Sequence, residues 1–399
     1  MRLLSFADTR FPLERANGIQ TFETCHALAT AGHHVRLVVR ADTHEPPRDP
    51  FEFYGTPRIE TLHIVQLSLN GPPAWRRAAF LAAALEHTVR RDAEAVFTRD
   101  LGVASALLGL PRALRPPVVY ESHGVSAVVG AHMGQWLSTG RSASSAKQRR
   151  LARREHSVWR HADGYVTITA ALARELSAAY GPRASLAVVP DGVRLPAQRV
   201  FLPAPTGRFV AGYAGHLYPW KGVDVLVRAL ALCRDVDGLV VGGHPAEPDL
   251  ERVRGLARSL DLDARIRFAG LVAPAEVGSW LVQTSALVLP NSATAISSTY
   301  SSPLKLFEYL AAGRPIVASD LPAFREVLDE HTALLVPPDD PAALAGALQR
   351  LQADPALADR LGRTAFARAD SYSWHARARR IAAVVEDVLS GGHATGSAP

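Results

Sequence analysis

The first forty residues constrain the fold more than any other stretch. Arg2 to Ala7 is an apolar run that stops at Asp8. A polar turn follows at Arg15-Ala16-Asn17-Gly18, then a helix-period segment from Ile19 to Thr30, ended by Gly32. Val35 to Val39 is a β-branched run that reads as a buried strand. Strand, glycine-bearing turn, helix and strand make a βαβ unit, and a helical crossover leaves its two strands parallel. Parallel strands need helices on both faces, so a chain that opens this way is committed to an α/β architecture.

The alternation continues. Strands are predicted over 58–67, 93–98, 118–120, 164–169 and 187–189, with helices over 74–90 and 138–160. Pro196 to Pro205 is proline-rich and reads as a linker. Beyond it, strands at 209–213, 238–241, 266–268, 286–289, 315–318 and 333–336 alternate with helices at 223–233, 251–260, 275–283, 303–312 and 322–328. From Pro341 the pattern is helical to about Ser390. At about 150 residues per domain, 399 residues accommodate this division. The expected domains are 1–196 and 205–375, each a doubly wound, Rossmann-like parallel sheet. A helix over 376–390 is expected to pack back on the first domain, and the small, polar tail 391–399 to be disordered. Ligands of such sheets bind beyond the C-terminal strand ends, and two facing sheets would hold one in the cleft between them. A two-domain binding protein or two unrelated Rossmann-like domains would share this pattern.

Composition narrows the classes. With 48% hydrophobic and 21% charged residues the chain is globular rather than disordered. The two cysteines, Cys25 and Cys233, lie far apart and form no metal-ligand cluster, which fits a reducing cytoplasm. The N-terminus lacks a signal-peptide core, and the best apolar run, Leu101 to Leu110, is half the roughly 20 residues a membrane span needs. A cytoplasmic protein is expected. Six excess positive charges on a chain this long do not predict a nucleic-acid partner.

Only three of the 44 basic residues are lysines: Lys147, Lys221 and Lys305. Two of them sit at loop-to-helix junctions. Ser302-Pro303-Leu304-Lys305 opens a predicted helix after a polar loop, Asn291 to Ser302. Amides at a helix N-terminus favour anions, whereas a cation there is unfavourable unless an anion binds. Glu308, one turn on, is placed to accept hydrogen bonds from ribose hydroxyls. Lys221 follows Gly215-His216 and precedes the next predicted helix, with His216 placed to donate a hydrogen bond to a phosphate oxygen. The alternative is an ordinary capped surface helix and a solvated turn lysine.

These segments resemble motifs of the retaining glycosyltransferase family 4. Tyr213 to Asp224 resembles that family's strand–Gly-Arg-Leu–Lys-Gly segment, and Ser302 to Ala318, with its Ser-Pro-Leu-Lys-Leu-Phe-Glu-Tyr sequence, its nucleotide-sugar helix. Ala31-Gly32-His33-His34-Val35, Pro190-Asp191-Gly192-Val193 and Tyr372-Ser373-Trp374 resemble its Gly-His-x-Val, Pro-Asn-Gly-Val and Phe-Ser-Trp stretches, in the same order. The resemblance implies the GT-B fold, a nucleotide-diphosphate sugar donor and a hydroxyl acceptor, with no metal or other cofactor. By it His123, Lys221 and Glu308 are catalytic. Gly18, His216, Lys221, Ser302, Pro303, Leu304 and Lys305 bind the diphosphate, and Glu308 the ribose. Two positions depart from the family: His216 replaces an arginine, and Tyr300 replaces a glutamate that touches the donor sugar. Ser297, Tyr300 and Ser301 are therefore the donor-sugar candidates.

No second carboxylate is expected beside Glu308, so a double-displacement route through a protein nucleophile is not predicted. Front-face transfer, with charge on the leaving group met by Lys221, Lys305, His216 and the helix N-terminus, fits instead. Arg99, Asp100 and the loop from Ser122 to Gly134 are acceptor candidates. The basic stretch 141–160 is either a solvated helix face or a contact with a phosphorylated acceptor or, peripherally, an anionic membrane. A phosphorylase or epimerase on the same fold, or a non-catalytic nucleotide-sugar-binding protein, are the competing functions.

Overall fold

The computed structural model describes residues 1–399 except 91, 137–142, 197, 246, 301 and 392–399; for 133–136 only the backbone is described. The chain forms two compact units. The first is built from Met1–Ala131 and Ala143–Asp191 and is rejoined by the chain at Trp374; the second is built around Gly192–Ser373.

The first unit runs β1 (Arg2–Arg10), α1 (Ala16–Thr30), β2 (His34–Arg40), α2 (Pro50–Tyr54), β3 (Leu62–Leu67), α3 (Pro73–Val89), β4 (Ala95–Thr98) and α4 (Leu101–Leu108). It continues with β5 (Val118–Ser122), α5 (Ser126–Trp136), α6 (Ser145–His161), β6 (Gly164–Thr167), α7 (Ala170–Tyr180) and β7 (Leu186–Val188). The strands form one parallel sheet in the order β3-β2-β1-β4-β5-β6-β7. The order reverses between β1 and β4, which opens a crevice at their C-terminal ends.

The second unit runs β8 (Phe209–Ala214), α8 (Val223–Leu232), β9 (Val236–Val241), α9 (Pro248–Ser259), β10 (Ile266–Gly270), α10 (Val277–Leu281) and β11 (Ala286–Leu289). Then come α11 (Ala295–Ser298), α12 (Leu304–Ala312), β12 (Ile316–Ser319), α13 (Pro322–Arg325), β13 (Ala333–Val336), α14 (Pro341–Ala353) and α15 (Pro355–Arg368). Its parallel sheet has the order β10-β9-β8-β11-β12-β13, reversing between β8 and β11. Both faces are covered, so β11 and β12 are buried at every residue. The last helix, α16 (Trp374–Leu389), packs on α1 and β6 of the first unit.

The sequence pattern erred mainly where a local cap overrides periodicity. The expected strand 58–67 begins only at Leu62, because Leu62 N–H donates back to the Ile59 carbonyl and holds a turn there. The apolar run 101–110 is α4, started by Asp100, whose carboxylate accepts from the Val103 amide at 2.9 Å. The single long helix expected from Pro341 is three, because Asp354 followed by Pro355 starts a new one and a 3₁₀ turn at Ala369–Tyr372 precedes α16. The basic helix begins at Ser145, capped by Ser144; residues 141 and 142 of the expected stretch lie outside the described residues, as does nearly all of the tail 391–399.

Candidate active site

In the second unit, the reversal between β8 and β11 gathers most of the predicted phosphate site. β8 ends in Tyr213-Ala214, and the chain passes through Gly215 and a 3₁₀ turn at Pro219–Lys221 into α8. Gly222 makes that entry possible. Its φ is +67°, and a Cβ there would lie 1.8 Å from the Pro290 carbonyl oxygen. The Ser292 amide donates to the Trp220 carbonyl at 3.1 Å, so the lysine-bearing turn is fastened to the segment leaving β11. Lys221 Nζ lies 3.7 Å from the centre of the Trp220 ring. Burial pushes its ammonium down to about 7.

α12 brings the second lysine. Leu306, Phe307, Tyr309 and Leu310 are buried against the sheet, each stabilising by roughly 1.5–3 kcal/mol, and this fixes the helix's rotation. Pro303 stands at the N-cap and makes no side-chain cap bond. Lys305, 8% exposed, donates to the Tyr213 hydroxyl at 2.6 Å, and that hydroxyl donates to the His216 carbonyl at 2.5 Å. Burial, and then the nearby charge of Lys221, push Lys305 well below its ordinary value; Glu308 opposes them. Among the described residues no carboxylate lies within ion-pair distance of either lysine. The site therefore pairs a half-buried and a buried lysine, whose charged forms have no carboxylate partner among the described residues, with a helix N-terminus that lacks a side-chain cap.

His216 lies in the same crevice. Its Nδ1 is 2.7 Å from Glu247 Oε1, and its ring stacks on Tyr218 at 5.0 Å and 6°. Ser302 is buried, and Glu308 is half-buried one turn into α12. Tyr300 is buried too, at 6% exposure. Ser297 is fully buried, its hydroxyl 3.3 Å from that of Thr294. Ser301 lies outside the described residues.

In the first unit, Gly18 falls inside the first turn of α1, where a Cβ would lie 2.5 Å from the Leu13 carbonyl oxygen. His123 follows β5, and its Nε2 bonds the carboxylate of Glu121. Arg99 donates to Gln20 Oε1 at 2.7 Å, and Gln20 donates to Glu121 at 2.6 Å, so Arg99 and His123 share one network. Asp100 is engaged elsewhere: both its oxygens accept from Arg77, at 2.6 and 2.7 Å, besides capping α4.

Residues 17–192 match the glycosyl transferase 4-like domain model, and residues 208–354 match the model of glycosyl transferases group 1. The chain carries both glycosyltransferase domains. A D-inositol 3-phosphate glycosyltransferase of Streptomyces bingchenggensis is 31% identical over 300 residues, 69% of this chain and 63% of that protein. One from Kineococcus radiotolerans is 34% identical over 255 residues, 56% of this chain and 57% of its own length. The match thus spans between 42% and 63% of the length of these curated relatives. Among solved structures, a sucrose-phosphate synthase from Thermosynechococcus elongatus superposes with a TM-score of 0.76 at 22% identity, covering 98% of this chain and all of that one. Anabaena HepE in complex with UDP-glucose gives 0.73 at 16%, covering 97% and 100%. These likenesses establish the GT-B glycosyltransferase fold.

The first unit holds a pair of polar residues that residue type and spacing do not single out. Glu121 closes an apolar strand, and Arg377 sits in an amphipathic helix more than 250 residues later. A charged residue ending the run Val118-Val119-Tyr120 was the only local signal. In the group 1 domain, Tyr213 and Glu247 were missed as partners of Lys305 and His216.

Among the described residues no helix is long and apolar enough to cross a membrane.

Proposed function

We propose that this protein is a nucleotide-sugar-dependent glycosyltransferase that transfers with retention of configuration. The observation that carries this reading is the pair of lysines without a carboxylate partner among the described residues, Lys305 buried in the first turn of α12 and Lys221 half-buried in the turn before α8 and electrostatically coupled to it. Two ammonium groups without a counter-charge are disfavoured in such a site, which is why both lysines are held below their ordinary value, and a diphosphate is the ligand whose charge and reach would restore them. Glu308, three residues after Lys305, takes the ribose hydroxyls. The HepE complexes contain UDP and UDP-glucose, which makes a uridine diphosphate sugar the first donor to test. The curated relatives make inositol phosphate the first hydroxyl acceptor to test.

In the proposed reaction the acceptor oxygen bonds to the anomeric carbon on the face from which the diphosphate leaves. The carbon–phosphate oxygen bond breaks, and the acceptor's proton passes to the departing phosphate oxygen. Lys221, Lys305 and the α12 amides stabilise the charge growing on that group, with His216 beside them; removing one such donor costs roughly 10²-fold or more in rate. No cofactor beyond these groups enters this reading. Arg99 and the loop after Ser122 are the acceptor-side candidates, and Asp100 supports them through Arg77. The exposed residues Lys147, Arg149, Arg150, Arg153 and Arg160 of α6 have no carboxylate partner among the described residues. This face is proposed to meet an anionic membrane surface.

Thermal unfolding against UDP-, GDP-, ADP- and TDP-sugars, with Glu308→Ala as control, tests the donor site. A ligand at 100 times its Kd stabilises by about 2.7 kcal/mol. One nucleotide class that stabilises the wild type and not the variant, followed by acceptor-dependent release of nucleoside diphosphate, is the expected result. Turnover that requires free phosphate would point to a phosphorylase, and binding without turnover for a broad acceptor panel to a non-catalytic binder. No stabilisation by any nucleotide sugar would remove the reading.

A further inference from the structure

Glu121 is the hub of a buried polar cluster at the C-terminal edge of the first sheet. It is 1% exposed and accepts three hydrogen bonds, from Gln20, His123 and Arg377. Arg377 comes from α16, is 1% exposed, and uses its whole guanidinium. It donates to Glu121, to the carbonyls of Val189 and Pro190 at 2.7 Å each, and to the Thr24 hydroxyl at 3.2 Å; Asp191 lies 3.9 Å away. The residues that Arg377 grips at 189–191 are those from which the chain leaves the first unit.

The charges dictate the proton positions. Burial alone would raise the carboxyl of Glu121, but Arg377 and His123 outweigh it and hold Glu121 below the usual carboxylate range. An ionised carboxylate only accepts, so His123 Nε2 must carry the hydrogen it shares with Glu121. Burial, and then Arg99, keep His123 below its ordinary value, against the opposing pull of Glu121 and Asp191. The ring is therefore neutral near pH 7, and its other nitrogen, Nδ1, has no partner among the described residues. The side chain remains 20% exposed.

We infer that Arg377 is a positioning residue: acting through Glu121, it fixes His123 in the Nε2–H tautomer, so that Nδ1 is presented as an acceptor for a ligand hydroxyl. This deepens the transferase reading and rests on it for the identity of that hydroxyl, a sugar hydroxyl of donor or acceptor. An imidazolium or the opposite tautomer would instead offer a donor, suited to phosphate. Arg377 touches no ligand in this scheme; it acts on the orientation and protonation of a group that does.

Ring-nitrogen NMR of the full chain labelled with ¹⁵N-histidine tests the inference, with His123 assigned by its loss in His123→Gln. In the wild type at pH 7.5 the expected pattern is a protonated Nε2 and an unprotonated Nδ1. In Arg377→Met, Glu121 loses its main counter-charge, and the His123 signals should move toward the averaged or doubly protonated pattern. Arg377→Lys, which keeps the charge and loses the fork, should fall between. In steady state Arg377→Met should lower kcat by roughly 100-fold, the scale of a misplaced catalytic group, with a smaller change in donor KM. A protonated Nδ1 in the wild type overturns the inference, as does an unchanged pattern in a folded Arg377→Met. If Arg377→Met fails to fold, the wild-type spectrum and Arg377→Lys decide. If no transfer is found with any acceptor, the spectra still decide, so failure of the activity and failure of the tautomer are separable.

Discussion

Lys221→Met removes the ammonium group, with its contact on the Trp220 ring, from the candidate phosphate site and keeps most of the side chain's length. Lowering the ammonium from its ordinary value of 10.5 to about 7 means that burial disfavours the charged form by about 5 kcal/mol, at 1.36 kcal/mol per pH unit. The sign follows from proton counting. Between pH 7 and 10.5 the unfolded chain holds a proton on Lys221 that the folded chain has released, so this group's contribution to stability rises with pH. The penalty is nearly full at pH 6 and falls to roughly 1–2 kcal/mol by pH 9.5. The methionine variant should therefore be the more stable protein at pH 6, and its advantage should shrink by about 3 kcal/mol at pH 9.5. At about 2–4 °C per kcal/mol for domains of this size, that narrowing is on the order of 5–10 °C in Tm. Adding UDP should reverse the ranking: it stabilises the wild type and leaves the variant where it was. Because the diphosphate favours the charged forms of Lys221 and Lys305, binding at pH 8 should be accompanied by net proton uptake, read by calorimetry in two buffers of different ionisation enthalpy. A variant no more stable than the wild type at pH 6, with an undiminished UDP shift, would refute both the buried charge and the phosphate role.

Three further outcomes are expected. Glu308→Gln should weaken nucleotide binding roughly tenfold or more, the scale of a hydrogen bond to a charged group, while pyrophosphate, which has no ribose, binds unchanged; equal losses for both ligands would contradict a ribose contact. Gly222→Ala meets both a φ of +67° and the Pro290 carbonyl, and should lower stability by about 3 kcal/mol or more and abolish the nucleotide shift; a variant with wild-type Tm would show that the turn is not held as described. The triple variant Arg149→Glu, Arg150→Glu, Arg153→Glu should abolish sedimentation with phosphatidylserine vesicles at about 1 kcal/mol per removed charge, whereas a wild type that does not sediment assigns the face to solvent.

Much of the molecule was legible in local pattern because a parallel sheet writes itself locally. β11 and β12, buried on both faces, appear as the unbroken apolar runs Ala286–Leu289 and Ile316–Ala318, and each is followed by a turn into a helix. Lys221 and Lys305 stood out because each is a lone lysine at the start of a helix in an arginine-rich chain. Residue type and spacing did not bring them together, and only the resemblance assigned both to one diphosphate: Lys305 reaches Tyr213 across 92 residues, through the β8–β11 reversal. Asp100 illustrates the opposite case. Its place after a strand suggested an acceptor contact, while the side chain that claims it, Arg77, lies on another helix.

The sequence by itself determined the alternation of strands and helices, the two sheets, and the lysine-bearing start of α12, because these depend on residue type and on spacings of two to four positions. Tertiary structure alone decided the electrostatics. Whether Glu121 is charged depends on Arg377, 256 residues away, and which nitrogen of His123 faces a ligand depends on Glu121. A buried charge takes its state from its neighbours in space rather than from its neighbours in the chain.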